Sequence, residues 1–357
     1  MELNDVITGI TSQDGFIYTS TIGGSISAYD IANRVQASSF TLTVPDQPVA
    51  MSCTAFDLKD EMIVAGSHNG NASMWNRTTH KPIAVWADHT EKITNVQFAA
   101  ESTIYTTSHD GYFRVRDLAH DYLAHSLMIT RSPINALAQT SASTLAFGDY
   151  DGHVRVVDLR AKSVTMTIMA DGDIISPIHT LLSATAPPLK KGKGTAESPG
   201  DARQLLYVAH GNGNVIAWDL RFPKVFCDRF HNTEEAVTTL ALSGGKLYSG
   251  GDDGTVMVSH ATEGTHEDVL GGFSGWVGAL HAGEGAVFAG DMTGQVRIYD
   301  PNEIASNIVR RNAEREAREE MEKENQARLR ELAKKMKRKK GASKSGKSTA
   351  EKYQKRV

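Results

Sequence analysis

Seven times between Gly24 and Asp300 the chain repeats one figure: a glycine, alternating apolar residues, then an aromatic or its substitute followed by an acid or another polar residue. The copies are GSISAYD (24–30), GNASMWN (70–76), GYFRVRD (111–117), GHVRVVD (152–158), GNVIAWD (213–219), GTVMVSH (254–260) and GQVRIYD (294–300). Their glycines are 46, 41, 41, 61, 41 and 40 residues apart. A period of roughly 40 to 45 residues is that of a four-stranded propeller blade, a unit too small to bury its own apolar faces alone.

Within a repeat the strands are legible. Val154, Val156 and Asp158 alternate with His153, Arg155 and Val157, a period-two pattern with β-branched residues. The glycine ends a turn such as SHNG, SHDG or DYDG. Asn-Gly and Asp-Gly pairs favour two-residue hairpins because both central positions need positive φ, so each glycine is expected between a second and a third strand. Upstream lie two further short apolar runs, such as Leu145 to Gly148 and Ile134 to Leu137. Residues after the Asp supply a fourth strand.

These seven copies resemble the WD-repeat family of β-propellers over about residues 5–300. The resemblance implies an all-β, seven-bladed β-propeller. The repeats are degenerate: Trp75 and Trp218 hold the tryptophan position, Tyr29 and Tyr299 substitute, and Arg116, Val157 and Ser259 stand elsewhere. The Gly-His pair of the family is echoed only by Asp88-His89. The buried His-Ser/Thr-Asp-Trp network that the resemblance implies is therefore mostly incomplete, and stacked apolar faces must carry the architecture.

The expected organisation is a propeller over 1–301, a charged α-helix over 302–340 and a basic disordered tail over 341–357. Three closures of the ring are open. The segment MELND could form a very short outer strand, residues 302–309 could turn back as that strand, or the last blade stays three-stranded with a helix over its edge. Asn302 after Pro301 looks like an N-cap, which favours the helix. Its i, i+4 pairs include Glu314 with Arg318 and Glu319 with Lys323, but its apolar residues sustain no heptad. Ile304 and Ile308 are the residues expected to pack on the propeller rim or to bind a partner.

The net charge of −4 divides unevenly: residues 334–357 carry eleven Lys/Arg against Glu351, leaving −14 for residues 1–333. Two cysteines, Cys53 and Cys227, suit a reducing compartment, with neither a disulfide framework nor a zinc site. The start MELNDVITGI has no basic, apolar leader, and no run is long and apolar enough to span a bilayer.

Enzyme-like signals dissolve in context. GASKSGKS (341–348) fits the phosphate-loop pattern, but it follows KKMKRKK where a buried strand is required, with nine residues after Ser348. GGDDG (250–254) and HGNGN (210–214) fall in hairpin slots, where turn chemistry accounts for them. His68, His109 and His210 recur near one slot of the repeat. The expectation is a non-enzyme with no cofactor, metal or catalytic residue.

Interaction features remain. The insertion at 183–203, rich in Pro, Gly, Ser and Lys, interrupts the first hairpin of the fifth repeat and reads as a flexible exposed loop. By the resemblance it shares one face with the residues after each aromatic-acid pair and with the start of the C-terminal helix, making that face the expected binding surface. Arg221 completes Trp218-Asp219-Leu220-Arg221, and Arg160 follows Asp158 likewise. This W-D-x-R form resembles one that some family members use to dock on cullin-RING ligase adaptors, by pairing the arginine with a partner carboxylate. The basic run Lys334, Lys335, Lys337, Arg338, Lys339 and Lys340 suits a nuclear import signal or a nucleic-acid arm acting through phosphates. Repeat four also resembles locally a nucleolar WD-repeat protein of ribosomal RNA processing. The sequence-level expectation is a non-enzymatic scaffold in a nuclear ribonucleoprotein or ribosome-assembly complex. It would bind proteins through the propeller face and helix, with RNA contact through the tail, as a monomer within its complex and away from membranes. Its expected location is nuclear or nucleolar, otherwise cytoplasmic. The alternative is a substrate receptor of a cullin-RING ubiquitin ligase.

Overall fold

The computed structural model describes residues 3, 5–43, 50–99, 102–169, 176–186, 203–221, 224–227, 235–311, 313, 318, 320, 321 and 323. Contacts divide the chain into two units, Met1–Pro301 and Asn302–Val357.

The first unit is a seven-bladed β-propeller. Its blades span residues 7–41, 55–86, 93–128, 134–169, 178–227, 237–270 and 277–299, and each is an antiparallel meander running from an inner to an outer strand. Six blades have four strands and the seventh has three, Val277–Gly283, Ala286–Asp291 and Val296–Tyr299. Inner strands neighbour one another around the ring, the seventh lying beside the first. All seven repeat glycines adopt φ between +72° and +87° between second and third strands, where a side chain would be strained.

One regularity is invisible in the motif. In each four-stranded blade the third and outer strands slip register beside the aromatic position, at Ala28/Tyr29, Met74/Trp75, Val115/Arg116, Val156/Val157, Ala217/Trp218 and Val258/Ser259. Such bulges bend and twist a strand, so the outer strand curls away wherever the motif reaches its end.

The core is a ring of layers between blades. Trp75 packs with Ile26, Leu42 and Met51 between blades one and two, Phe113 with Phe147 between three and four, and Trp218 with Val154 and Val156 between four and five. Phe288 and Val296 meet Ile7, Ile10 and Ile17 where blade seven meets blade one. Polar rungs cross some of the same joints. Thr54 Oγ1 donates to the Ile93 carbonyl at 2.6 Å, Thr94 Oγ1 to that of Ile134 at 2.8 Å, and Thr238 Oγ1 to that of Val277. Each hydroxyl sits beside the start of one inner strand and satisfies the first residue of the next.

The ring closes without a fourth strand in the last blade. Shortly after the outer strand in blades one to three a backbone N–H donates to the carbonyl of the repeat glycine: Leu42 to Gly24 at 2.8 Å, His89 to Gly70 at 3.3 Å and Ile129 to Gly111 at 3.0 Å. Leu3 does the same to Gly294 at 2.7 Å, then leads into the first inner strand. Thus, among the described residues, Leu3 supplies the contact that ends an outer strand. Residues 302–309 do not return as a strand, because they are helical.

The described part of the second unit is that helix. It begins at Pro301, one residue before the expected N-cap Asn302, and continues through 311 and at positions 313, 318, 320, 321 and 323. Proline suits a first helical position, where its missing N–H has no intrahelical partner to lose.

Candidate interaction surfaces

Two backbone ladders define the two faces of the ring. On one, the residue after the aromatic-acid pair donates to the turn between first and second strands, as in Leu118 to Ser102 at 2.7 Å and Leu159 to Ser143 at 2.8 Å, and Leu220 donates to Gln204 at the start of a second strand at 2.9 Å. Both outer-turn types therefore share this hairpin face, as the sequence implied. On the opposite, loop face, the residue after the second strand donates to the loop entering the same blade: Ile22 to Val6 at 2.9 Å, Tyr150 to Pro133 at 3.0 Å, Asp252 to Ala236 at 3.0 Å and Met292 to Trp276 at 3.1 Å.

The hairpin face carries Arg160 and Arg221. Arg160 Nη2 lies 3.3 Å from Asp158 Oδ2 with its side chain 78% exposed, and Arg221 Nη2 lies 2.8 Å from Asp219 Oδ2. Each guanidinium thus turns back on the acid two residues earlier. Hydrogen bonds from those arginines, side chain first and backbone N–H next, hold both carboxyls below the usual carboxylate range. The ends of the fifth-blade insertion also lie here, with residues 183–186 and 203 continuing the strands Ile178–Ala186 and Arg203–His210. The span between them, and the basic residues Lys334, Lys335, Lys337, Arg338, Lys339 and Lys340, lie outside the described residues, as does the phosphate-loop match. Ile304 and Ile308 are buried one turn apart on the helix, whereas Val309 is 69% exposed.

The remaining polar signals are structural. Asp253 Oδ1 accepts from the Thr255 N–H at 2.9 Å and from its hydroxyl at 2.8 Å, closing the GGDDG turn. In blade three, His89 Nδ1 lies 2.9 Å from Asp110 Oδ2, its Nε2 lies 2.9 Å from Thr106 Oγ1, and Arg114 Nη1 reaches the same carboxylate at 2.9 Å. Burial by itself would raise the Asp110 carboxyl, but the hydrogen bonds from His89, Arg114 and the Tyr112 N–H outweigh it and hold it far below its ordinary range. Burial pushes the Cys53 thiol up to about 12, so this cysteine is an inert core residue. Among the described residues no group of three His, Cys, Asp or Glu side chains could hold a metal, and no helix is long and apolar enough to cross a membrane.

The loop face presents what the motif reading passed over. Trp276, Met292 and Ile22 are 42%, 38% and 44% exposed. Trp276 and Met292 adjoin, since a Cβ added to Gly275 would lie 2.7 Å from Met292 Cγ, and Asp5 lies between them and Ile22: Gly294 abuts its carbonyl, and its Oδ2 accepts from the Gly23 N–H at 2.7 Å. On the other flank Gly254 abuts the carbonyls of Phe273 and Gly275, bringing in Asp252 and Asp253. Large apolar side chains in the turn slots TIGG and DMTG, where polar residues are the rule, were the available signal.

This architecture is that of a seven-bladed β-propeller. No protein-family model matches the chain. A 96-residue stretch, 27% of the chain, is 27% identical to WD repeat-containing protein 91 of Bos taurus, of which it covers 13%. A 93-residue stretch is 27% identical to the same-named protein of Gallus gallus, covering 12% of it. The chain therefore matches about an eighth of the length of these relatives, a local similarity that supports a WD-repeat family. The crystal structure of the computationally designed Ika8 protein superposes with a TM-score of 0.62 at 17% identity, over 84% of this chain and 97% of that one, a likeness of fold alone.

Proposed function

We propose that this propeller is a non-enzymatic scaffold within a nuclear ribonucleoprotein or ribosome-assembly complex. The observation that carries the scaffold reading is the group of exposed apolar side chains Trp276, Met292 and Ile22 on one face of the ring, since clustered exposed apolar side chains mark interaction sites. The nuclear context draws on the run from Lys334 to Lys340, which suits import or phosphate contact, and on the local resemblance of the fourth repeat.

Affinity purification of the full-length chain tests it, beside a variant with glutamine at the six basic positions of 334–340, with and without RNase. Ribosomal or RNA-bound partners that are lost from the variant are the expected result. Cullin adaptors recovered equally by both forms, and lost on Arg221→Ala, would replace the reading with that of a ligase substrate receptor.

A further inference from the structure

We infer that the loop-face arc of blades six, seven and one is a docking site for a Lys/Arg-rich segment of a partner protein, anchored by a large apolar side chain. The inference rests on the scaffold reading and gives it a place and a chemistry. Trp276, Met292 and Ile22 form the apolar floor, 42%, 38% and 44% exposed and joined by the contacts already described. Carboxylates rim it. Glu235, Asp252 and Asp253 stand on the blade-six side, and Asp5 lies between Gly294 and Gly23.

These acids favour a cationic occupant. Burial raises the Asp252 carboxyl above its usual range, His179 opposes this, and the neighbouring charges of Glu235 and Asp253 raise it further. Asp252 Oδ1 is moreover buried with no hydrogen-bond donor on it. A cation from a partner would relieve the mutual repulsion. The adjacent Arg297 is otherwise engaged, donating to the carbonyls of Gly271 and Gly272 while lying over the Phe273 ring at 4.7 Å.

Sequence charge agrees in direction and extent. Residues 235–301 and 1–50, which build this side of the ring, hold fourteen Asp/Glu against three Lys/Arg, whereas residues 51–234 hold nineteen against seventeen. The blades that carry the arc are therefore the more acidic part of the propeller, and fields of one sign steer partners of the other. An exposed aromatic beside carboxylates also accepts both parts of a lysine or arginine side chain, the aliphatic stem on the ring and the charge at the rim.

The test is fluorescence anisotropy of the full-length protein with three labelled synthetic peptides: one of Lys and Arg with interspersed Leu, one with Glu in place of the basic residues, and one with Ser in place of Leu. The first should bind best, and several-fold more weakly as salt rises from low to physiological strength. Trp276→Ala should weaken it about tenfold. Glu235→Gln with Asp253→Asn, which keeps the turn acceptor, should weaken it about threefold at low salt only. Tyr150→Ala, on the same face at blade four, should leave it unchanged, and circular dichroism melts confirm that each variant folds. Equal binding of the acidic peptide, or undiminished affinity in Trp276→Ala, overturns the inference. Partners recovered from cells by Trp276→Ala as well as by the unsubstituted chain would sink the arc yet leave the scaffold reading standing; no partners for either would sink the scaffold reading itself.

Discussion

Replacing Gly294 by alanine asks whether the ring closes through Leu3. Gly294 has φ +87°, and a Cβ there would lie 1.5 Å from the Leu3 carbonyl oxygen and 3.0 Å from that of Asp5. Gly15 is its control, with φ +79° and nothing within 4 Å. Both substitutions place alanine in the left-handed region, costing about 1 to 2 kcal/mol. Only Gly294→Ala must also displace the Leu3 backbone. It forfeits the 2.7 Å Leu3–Gly294 hydrogen bond, a net loss of about 1 kcal/mol. The packing of Leu3 against Phe288, Val296 and Ile7 adds about another 1 to 2 kcal/mol. Urea denaturation should therefore place Gly15→Ala about 1 to 2 kcal/mol below the parent and Gly294→Ala about 3 to 5. If the two variants lose the same stability within about 0.5 kcal/mol, a clash at closure is absent and Leu3 does not hold the ring.

Phe288→Ala empties a fully buried site in the joint between blades seven and one, and should cost about 3 to 5 kcal/mol in the same assay. Asp110→Asn should cost about 3 kcal/mol near neutral pH, by breaking a buried network with His89 and Arg114. Because the folded-state carboxyl is depressed, its stabilisation is complete above the unfolded value near 4 and lost as pH falls toward the folded value, so parent and variant should converge under acid. A gap that widens on acidification would contradict this. Thr94→Val removes the hydroxyl rung to the Ile134 carbonyl and should cost about 1 to 3 kcal/mol, read as a shift in the urea midpoint.

The repeat made most of this architecture readable before any coordinates. Seven glycines at a near-constant period fixed seven blades, the turn chemistry placed each glycine between second and third strands, and the residues after the Asp became outer strands in six blades. What escaped are features made by single backbone groups or by distant neighbours. The Leu3–Gly294 bond leaves no residue signature, since any residue but proline could donate it. The bulges at the aromatic position arise from strand pairing, and the motif names only one of the two strands involved. That Arg160 and Arg221 each lie against the aspartate two residues upstream was likewise not evident from the W-D-x-R form. The loop-face arc was missed for a different reason: its members come from residues 22, 276 and 292, which only ring closure brings together.

The incomplete hydrogen-bond network explains how such a surface can exist on this fold. A histidine-to-acid network like that of His89 and Asp110 commits the turn after the second strand to long-range bonding. In blades six and seven the turns close locally. Asp291 accepts from the N–H groups of Thr293 at 2.9 Å and Gln295 at 2.8 Å, and Asp253 serves the Thr255 N–H in the same manner. In blade seven the buried acid satisfies its turn from within, so the next side chain, Met292, makes no hydrogen bond for the turn and is partly exposed. Ile22, following Thr21, and Tyr150, following Asp149, stand in the same slot with the same freedom. Stability then resides in joints between blades, as expected of a repeat array, while recognition is written in one exposed residue per turn. Exchanging Met292 and Ile22 for serine should accordingly abolish peptide capture while the protein still folds, at a cost of about 1 to 3 kcal/mol in unfolding free energy for the half-buried apolar surface lost.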